Sequence, residues 1–422
     1  MDRRSLWRHR DFTLLWCGQS VSEVGSQVTF LALPLLATIT LRASTLQVAL
    51  LAVCSSAAFL LVALQAGALI DRVRKRPVLV RTDLARALLI GTIPVAQAFG
   101  ILTIGQLYVV ALASSVLTVF FDVAYQSYLP FLVPRDRLVE GNAKLSGSAE
   151  VARFAGPGAA GLLVAAVGAP YAVAVDAASF LFSGIVTTAV RDAEGPPAPR
   201  PAGSRLRDDI REGLLFVVRH PILSRIVGCT GTANFFTSVY GSVEIVFLVR
   251  TLHASPVVIG IVYSLAAVGG VIGAGIANTL ARRMGSARIV WLSLTVTGPF
   301  VLLGPAAFPG WGVLLAAAAI FSLGLGAVVY NVAQVSYRQS ICPPALLGRM
   351  NASVRFIVWG TMPLGALLGG VLGSVIGTRS TLLVGAAGNL LAVLWVIASP
   401  LFGRRDFPTD EAEALDRAAV VR

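Results

Sequence analysis

"GALIDRVRKRP", residues 67–77, sets one carboxylate, Asp71, hard against Arg72, Arg74, Lys75 and Arg76, with a long uncharged run before it and another apolar run after Pro77. A bilayer-crossing helix needs roughly 20 mainly apolar residues. The cluster therefore reads as a short loop between two spans, and the chain around it repeats the pattern.

Hydrophobic residues make up 56% of the 422 residues and charged ones 13%, with mean hydropathy +0.79. Soluble domains carry about 25% charged residues, so this chain cannot cover a water-facing surface and the lipid bilayer is its solvent. The net charge of +13 would suggest nucleic acid in a soluble protein. Here the cations sit in short gaps between apolar runs, which points to membrane topology and not to nucleic acid. The four cysteines are scattered without a CxxC, so neither a disulfide framework nor a metal site is expected. The basic start "MDRRSLWRHRDF" leads into a retained first span, since no small-residue cleavage site follows.

Apolar runs occupy 12–39, 46–70, 78–99, 104–128, 143–167, 170–190, 223–249, 256–280, 287–307, 311–336, 351–376 and 380–400, which predicts twelve spans. Alternate gaps are rich in arginine, among them 72–76, 191–225 and 282–288, whereas the opposite gaps hold only Arg42, Arg250 and Arg379. Cytoplasmic loops carry the excess of Lys and Arg, so both termini and the 67–77 loop are expected in the cytoplasm and the chain in the cell's inner (plasma) membrane. The longest gap contains the Pro/Gly linker "EGPPAPRPAG" (194–203). After it, residues 204–220 place Leu206, Ile210, Leu214 and Val217 on one helical face, as an amphipathic helix on the inner leaflet would. The expected division is an N-terminal six-helix bundle (1–190), a cytoplasmic linker (191–221), a C-terminal six-helix bundle (222–402) and a cytoplasmic tail (403–422).

The halves repeat. A shift of 209 residues carries Tyr128, Pro134, Asn142, Gly156, Gly161 and Gly168 onto Tyr337, Pro343, Asn351, Gly365, Gly370 and Gly377. A shift of 211 carries Arg8-His9 onto Arg219-His220. Two parallel six-span repeats are the build of many secondary transporters, with the substrate path between the halves near mid-membrane.

"GALIDRVRKRPVL" resembles the loop between spans two and three of the major facilitator superfamily, whose pattern is G-x-L-x-D-R-x-G-R-R/K. Gly67, Leu69, Asp71, Arg72, Lys75 and Arg76 fit it, while Arg74 stands where that family usually has glycine. "GQSVSEVGSQVTFLALPLL", "TDLARALL", "LVPRDRLVEGNAKL", "EGLLFVVRHP" and "LLGRMNASVRFIVWGTMPLGALLGG" resemble its drug:proton antiporter branch, which includes macrolide and enterobactin exporters. Of the span-five exporter signature, Gly156, Pro157 and Gly161 fit, and Ala143, Ala152 and Ala160 replace its other glycines.

The resemblance implies an all-α fold of two pseudo-symmetric six-helix bundles. It implies an inner gate in which Asp71 meets the start of span eleven near Leu347–Asn351, with Arg72 or Arg76 paired to Asp122. Arg282 falls where Asp71 sits in the other half, so the latch is expected to be one-sided. Ionisable groups inside spans are functional candidates by default. Glu23, flanked by Gln19 and Gln27 one turn away, and its repeat equivalent Asn234 suit a proton-coupled substrate cavity. Glu244 is deep in span seven, and Glu150 and Arg153 form an i, i+3 pair weighed as structural or as a substrate or proton site. Asp83 and Arg86 are expected to brace the inner gate, and Asp176 to serve packing, a gate or coupling. Gly365 and Gly369 with Gly156, Pro157 and Gly161 read as close-packing positions.

Enzyme motifs are missing: there is no Walker loop, H-E-x-x-H or G-x-S-x-G. No cofactor is expected beyond a proton gradient as energy source. The partners expected are a small molecule and the lipid bilayer, with the chain a monomer. Export of an amphipathic drug, siderophore or secondary metabolite leads. Import of a nutrient or lipid, and a non-transporting sensor on the same fold, are the alternatives.

Overall fold

The computed structural model describes residues 6–70, 72–134, 137–191, 194, 206–342 and 347–407. All regular secondary structure among these residues is helical. Ten stretches are long and apolar enough to cross a membrane. Leu88, Val109, Leu162, Leu314 and Val375 stand exposed on the helices, as side chains facing lipid do.

The chain divides into two compact units, Met1–Arg200 with Ala254–Ser264, and Pro201–His253 with Leu265–Arg422. In the first unit α1 (Arg10–Leu35) opens on His9, whose Nδ1 accepts from the Phe12 N–H at 3.2 Å. Past Pro34 it loosens into a π-helical turn, Leu36–Thr40. A Ser44/Gln47 capping box starts α2 (Thr45–Leu61), which breaks at Val62 before α3 (Ala63–Ile70). The span expected over 46–70 is thus two helices. Next, α4 (Lys75–Ala98) carries Lys75, Arg76, Arg81, Asp83 and Arg86, a charge load that sets it apart from the ten apolar stretches. Thr103 caps α5 (Ile104–Leu132). Two further helices, α6 (Leu138–Val167) and α7 (Ala169–Thr188), meet at Gly168. In this unit α1 packs on α6 and α7, and α4 on α5 and α7.

The second unit begins with α8 (Leu206–Arg219), the amphipathic helix expected from the linker. It packs on α14 (Leu347–Val375) and α9 (Leu223–Arg250), with Val217 buried in the core, so part of its apolar face meets protein. Then follow α10 (Pro256–Met284), whose first turns belong to the first unit, α11 (Ser286–Val301), α12 (Leu303–Ala306) and α13 (Val313–Ile341). After α14 come α15 (Thr378–Leu391) and α16 (Leu394–Ile397). Here α9 packs on α14 and α15, and α11 on α13.

Residues aligned by the repeat share local physics. Gly168 and Gly377 both have φ +84°, a left-handed conformation that favours glycine, and both precede the first turn of a helix. His220 Nδ1 accepts from the Leu223 N–H at 3.1 Å, as His9 does at the head of α1. A β-carbon on Gly156 would strike Gln27, and one on Gly365 would lie 3.0 Å from Ser238 Cβ, the residue that the 211 shift pairs with Gln27.

Candidate functional site

Asp71 lies outside the described residues. Around it, Gly67 sits in α3 with nothing within 4 Å of where its β-carbon would be, and Arg72 is exposed. The backbone N–H groups of Lys75 and Arg76 meet a residue that sequence reasoning missed. The Glu194 carboxylate accepts the Lys75 and Arg76 backbone N–H groups at 2.9 and 3.0 Å, and its Oε1 is 4.0 Å from Lys75 Nζ. These N–H groups are orphans of the α4 N-terminus, and a carboxylate there meets both the free donors and the helix dipole. The Arg76 guanidinium donates to the Thr187 and Thr188 carbonyls at the end of α7.

The second unit has a matching device. The Asp406 carboxylate accepts from the Ser286 N–H at 2.8 Å and its hydroxyl at 3.2 Å, capping α11. The 211-residue shift carries Lys75 onto Ser286 and Glu194 onto Arg405, next to Asp406. An acid just past the last span of each half thus returns to the head of its third. The repeat register misses the matching acid by one residue, so the aligned sequence alone does not mark Glu194. Beyond Asp406, Phe407 stacks on Tyr337 with centroids 4.0 Å apart, and both line a cavity of about 310 Å³ with Ala277, Asn278, Val332 and Ser336.

The Ser286 N–H holds the Asp406 carboxyl below the usual carboxylate range. A depressed folded value means that the contact stabilises above the unfolded value and is lost as pH falls through the folded one. The protection of the Ser286 amide, its exchange relative to the intrinsic rate at each pH, is therefore expected to fall only on acidification below the ordinary carboxylate range. An exchange rate that kept its neutral-pH protection there would count against it.

Glu23 lies midway along α1, half-buried, and accepts from Gln19 Nε2 at 2.9 Å. Its charge and that of Asp122 both act on Tyr125 of α5, whose hydroxyl has no partner among the described residues. Two carboxylates that the sequence reading assigned to different sites thus act electrostatically on the same tyrosine. Gln27 packs against Gly156. In the second unit the Asn234 amide donates to the Val358 carbonyl at 3.4 Å, tying α9 to α14. Glu244 is buried beside Tyr240. Glu150 and Arg153 pair at 3.5 Å within the long apolar stretch Glu140–Val167, with side chains 60% and 64% exposed.

The glycines are close-packing positions. A β-carbon on Gly161 would lie 3.1 Å from Gly260 Cα and nearer still to the Pro256 carbonyl, and one on Gly260 would lie 2.5 Å from the Pro157 carbonyl. One on Gly369 would lie 2.5 Å from the Val239 carbonyl. Asp83 and Arg86, expected near the inner gate, form a fully buried pair inside the first unit.

Long apolar helices in two compact units with sparse buried charges fit a membrane transporter, and the comparisons with known proteins place the chain in the major facilitator class. The family model described as "Transmembrane secretion effector" (MFS_3) matches residues 5–417, and the chain belongs to that family. It is 27% identical to the multidrug efflux pump Tap of Mycolicibacterium fortuitum over 371 residues, 85% of this chain and 88% of that one. It is 24% identical to the uncharacterized MFS-type transporter YfiS of Bacillus subtilis (strain 168), over 96% of each chain. Among solved structures, a bacterial homologue of the iron transporter ferroportin superposes with TM-score 0.72 at 18% identity, covering 95% of this chain and 100% of that one. The nucleoside transporter NupG does so with 0.68 at 13%, covering 93% and 99%. Identities this low speak to fold alone.

Proposed function

We propose that the protein is a proton-coupled exporter of a small amphipathic or hydrophobic compound, such as a drug, siderophore or secondary metabolite. It works by alternating access in the plasma membrane, with both termini cytoplasmic. Twelve spans, reached by counting α2 with α3 and by including α4, form two pseudo-symmetric six-helix bundles. The aligned conformations of Gly168 and Gly377 and the paired acid caps support that symmetry. The secretion-effector family and the relative named a multidrug efflux pump favour export.

The observation that carries the coupling is Glu23, an ionisable side chain held by Gln19 in the middle of an apolar helix. Such a group inside a span has a role in the substrate or proton path by default. Asp71 acts as the latch of the inner gate.

Everted vesicles with an imposed pH gradient test the reading with fluorescent dyes and candidate metabolites. Gradient-dependent accumulation is expected in the wild type. Glu23→Gln is expected to abolish gradient dependence while dye binding persists, and Asp71→Asn to insert normally but transport poorly. Accumulation that ignores the gradient would sink the antiport mechanism.

A further inference from the structure

Asp83, Arg86 and Asp176 are buried where α4, α5 and α7 gather beside α1, with 0%, 4% and 1% of their surfaces exposed. Arg86 Nη2 meets Asp83 Oδ1 at 2.5 Å, and Nη1 donates to Thr118 Oγ1 of α5 at 3.3 Å. The guanidinium lies 4.4 Å from the centroid of the Phe121 ring and 4.1 Å from that of Phe180. Asp176 Oδ1 accepts from Ser179 at 3.3 Å, and both Arg86 and Asp83 act on Asp176 electrostatically. Thr29 of α1 reaches toward Asp176 without closing a hydrogen bond of normal geometry, and Ser183 stands likewise beside Asp83. Asp83 Oδ2 and Arg86 Nε have no hydrogen-bond partner among the described residues. The charged groups acting on the cluster come from α4 and α7, while α1 and α5 face it with Gly25, Thr29, Thr118 and Phe121.

The second unit makes the same helix contacts without charge. The 211 shift carries Asp83, Arg86, Gly25 and Thr29 onto Leu294, Thr297, Phe236 and Tyr240, and the 209 shift carries Asp176 and Ser179 onto Gly385 and Gly388. Among these counterparts, Phe236 meets Gly388 and Tyr240 meets Gly385. A β-carbon on Gly388 would strike the Phe236 ring, and one on Gly385 would lie 2.9 Å from Tyr240 Cβ. In the first unit, a β-carbon on Gly25 would lie 2.8 Å from both Asp176 Oδ1 and Ser179 Cβ. Where α9 sets aromatics over glycines of α15, α1 sets a glycine under an acid and a serine of α7. Helix packing therefore does not demand the charges. Two carboxylates and one guanidinium buried among the same helices leave a net negative charge away from water, and an uncompensated buried charge is strongly unfavourable. The cluster balances when it holds one proton.

We propose that Asp83, Arg86 and Asp176 form a proton-binding site inside the first unit, distinct from Glu23. A proton adds to a carboxylate oxygen and leaves by the reverse step, with no electron transferred. The site's part in transport rests on the proton-coupled reading above, but its occupancy does not.

Infrared spectroscopy of the reconstituted protein at neutral pH, where exposed carboxyls are ionised, reads that occupancy directly. A protonated-carboxyl C=O band is expected in the wild type. Asp83→Asn and Asp176→Asn each leave one carboxylate for one guanidinium, so either should remove the band, and Glu23→Gln should keep it. Both Asn variants should also bind dye yet lose gradient-driven accumulation. A wild type without the band overturns the proposal whether or not the variants fold, as does a band removed by Glu23→Gln alone. If wild-type vesicles ignore the gradient, the exporter reading fails while the band still decides the site.

Discussion

Arg86→Met is expected to destabilise the first unit by about 3–5 kcal/mol, the cost of stripping one partner from a buried ion pair. Asp83 would keep its burial and lose its only charged hydrogen-bond donor among the described residues, and the Phe121 and Phe180 rings would lose the cation between them. Thermal unfolding in detergent, followed by size-exclusion chromatography, reads the loss. The double variant Asp83→Leu/Arg86→Met puts an apolar pair in place of the ion pair, as Leu294 already stands opposite Asp83 in the repeat. Replacing a buried pair by well-packed apolar residues is often neutral or stabilising, so this variant should recover most of the melting temperature without recovering transport. A double variant as unstable as the single one would mean that the charges are needed for folding.

Gly161→Leu is expected to be the second large effect. Its side chain would enter the space held by the Pro256 carbonyl and Gly260 Cα, both backbone atoms that no rotamer change can move. Overpacking typically costs about 1–3 kcal/mol, and here relief requires α6 and the first turns of α10 to separate. Both the melting temperature and dye transport should fall, with Gly260→Leu doing the same. Gly67→Ala is the control, since its new methyl meets nothing within 4 Å, and its melting temperature should match the wild type. A Gly161→Leu protein that melted and transported normally would show that this contact does not hold in the membrane.

Much of the candidate site was legible, and what was not has a common cause. Glu23 stood out because a lone carboxylate in an apolar run is costly unless it has a use. Asp83 and Arg86 were visible as an i, i+3 pair, but helical spacing gives a shared face and not what that face meets. Only packing placed them between two phenylalanine rings and beside Asp176, far along the chain. Glu194 was hidden for a related reason. It lies among linker residues, and nothing local marks a carboxylate that caps a helix more than a hundred residues earlier. Asp122 and Glu23, assigned to separate sites, both act electrostatically on Tyr125, which neighbouring sequence does not foretell.

The sequence by itself determined the solvent, the helical class and the repeat. Lipid cannot hydrogen-bond the backbone, so a chain this apolar and this poor in charge must form helices wherever it crosses. Gly168 and Gly377, and His9 and His220, carry the same local geometry in each half. Tertiary structure alone decided which buried charges share a site. That choice depends on which faces of distant helices come within a few ångströms, a distance at which one unpaired charge outweighs any local preference of the chain.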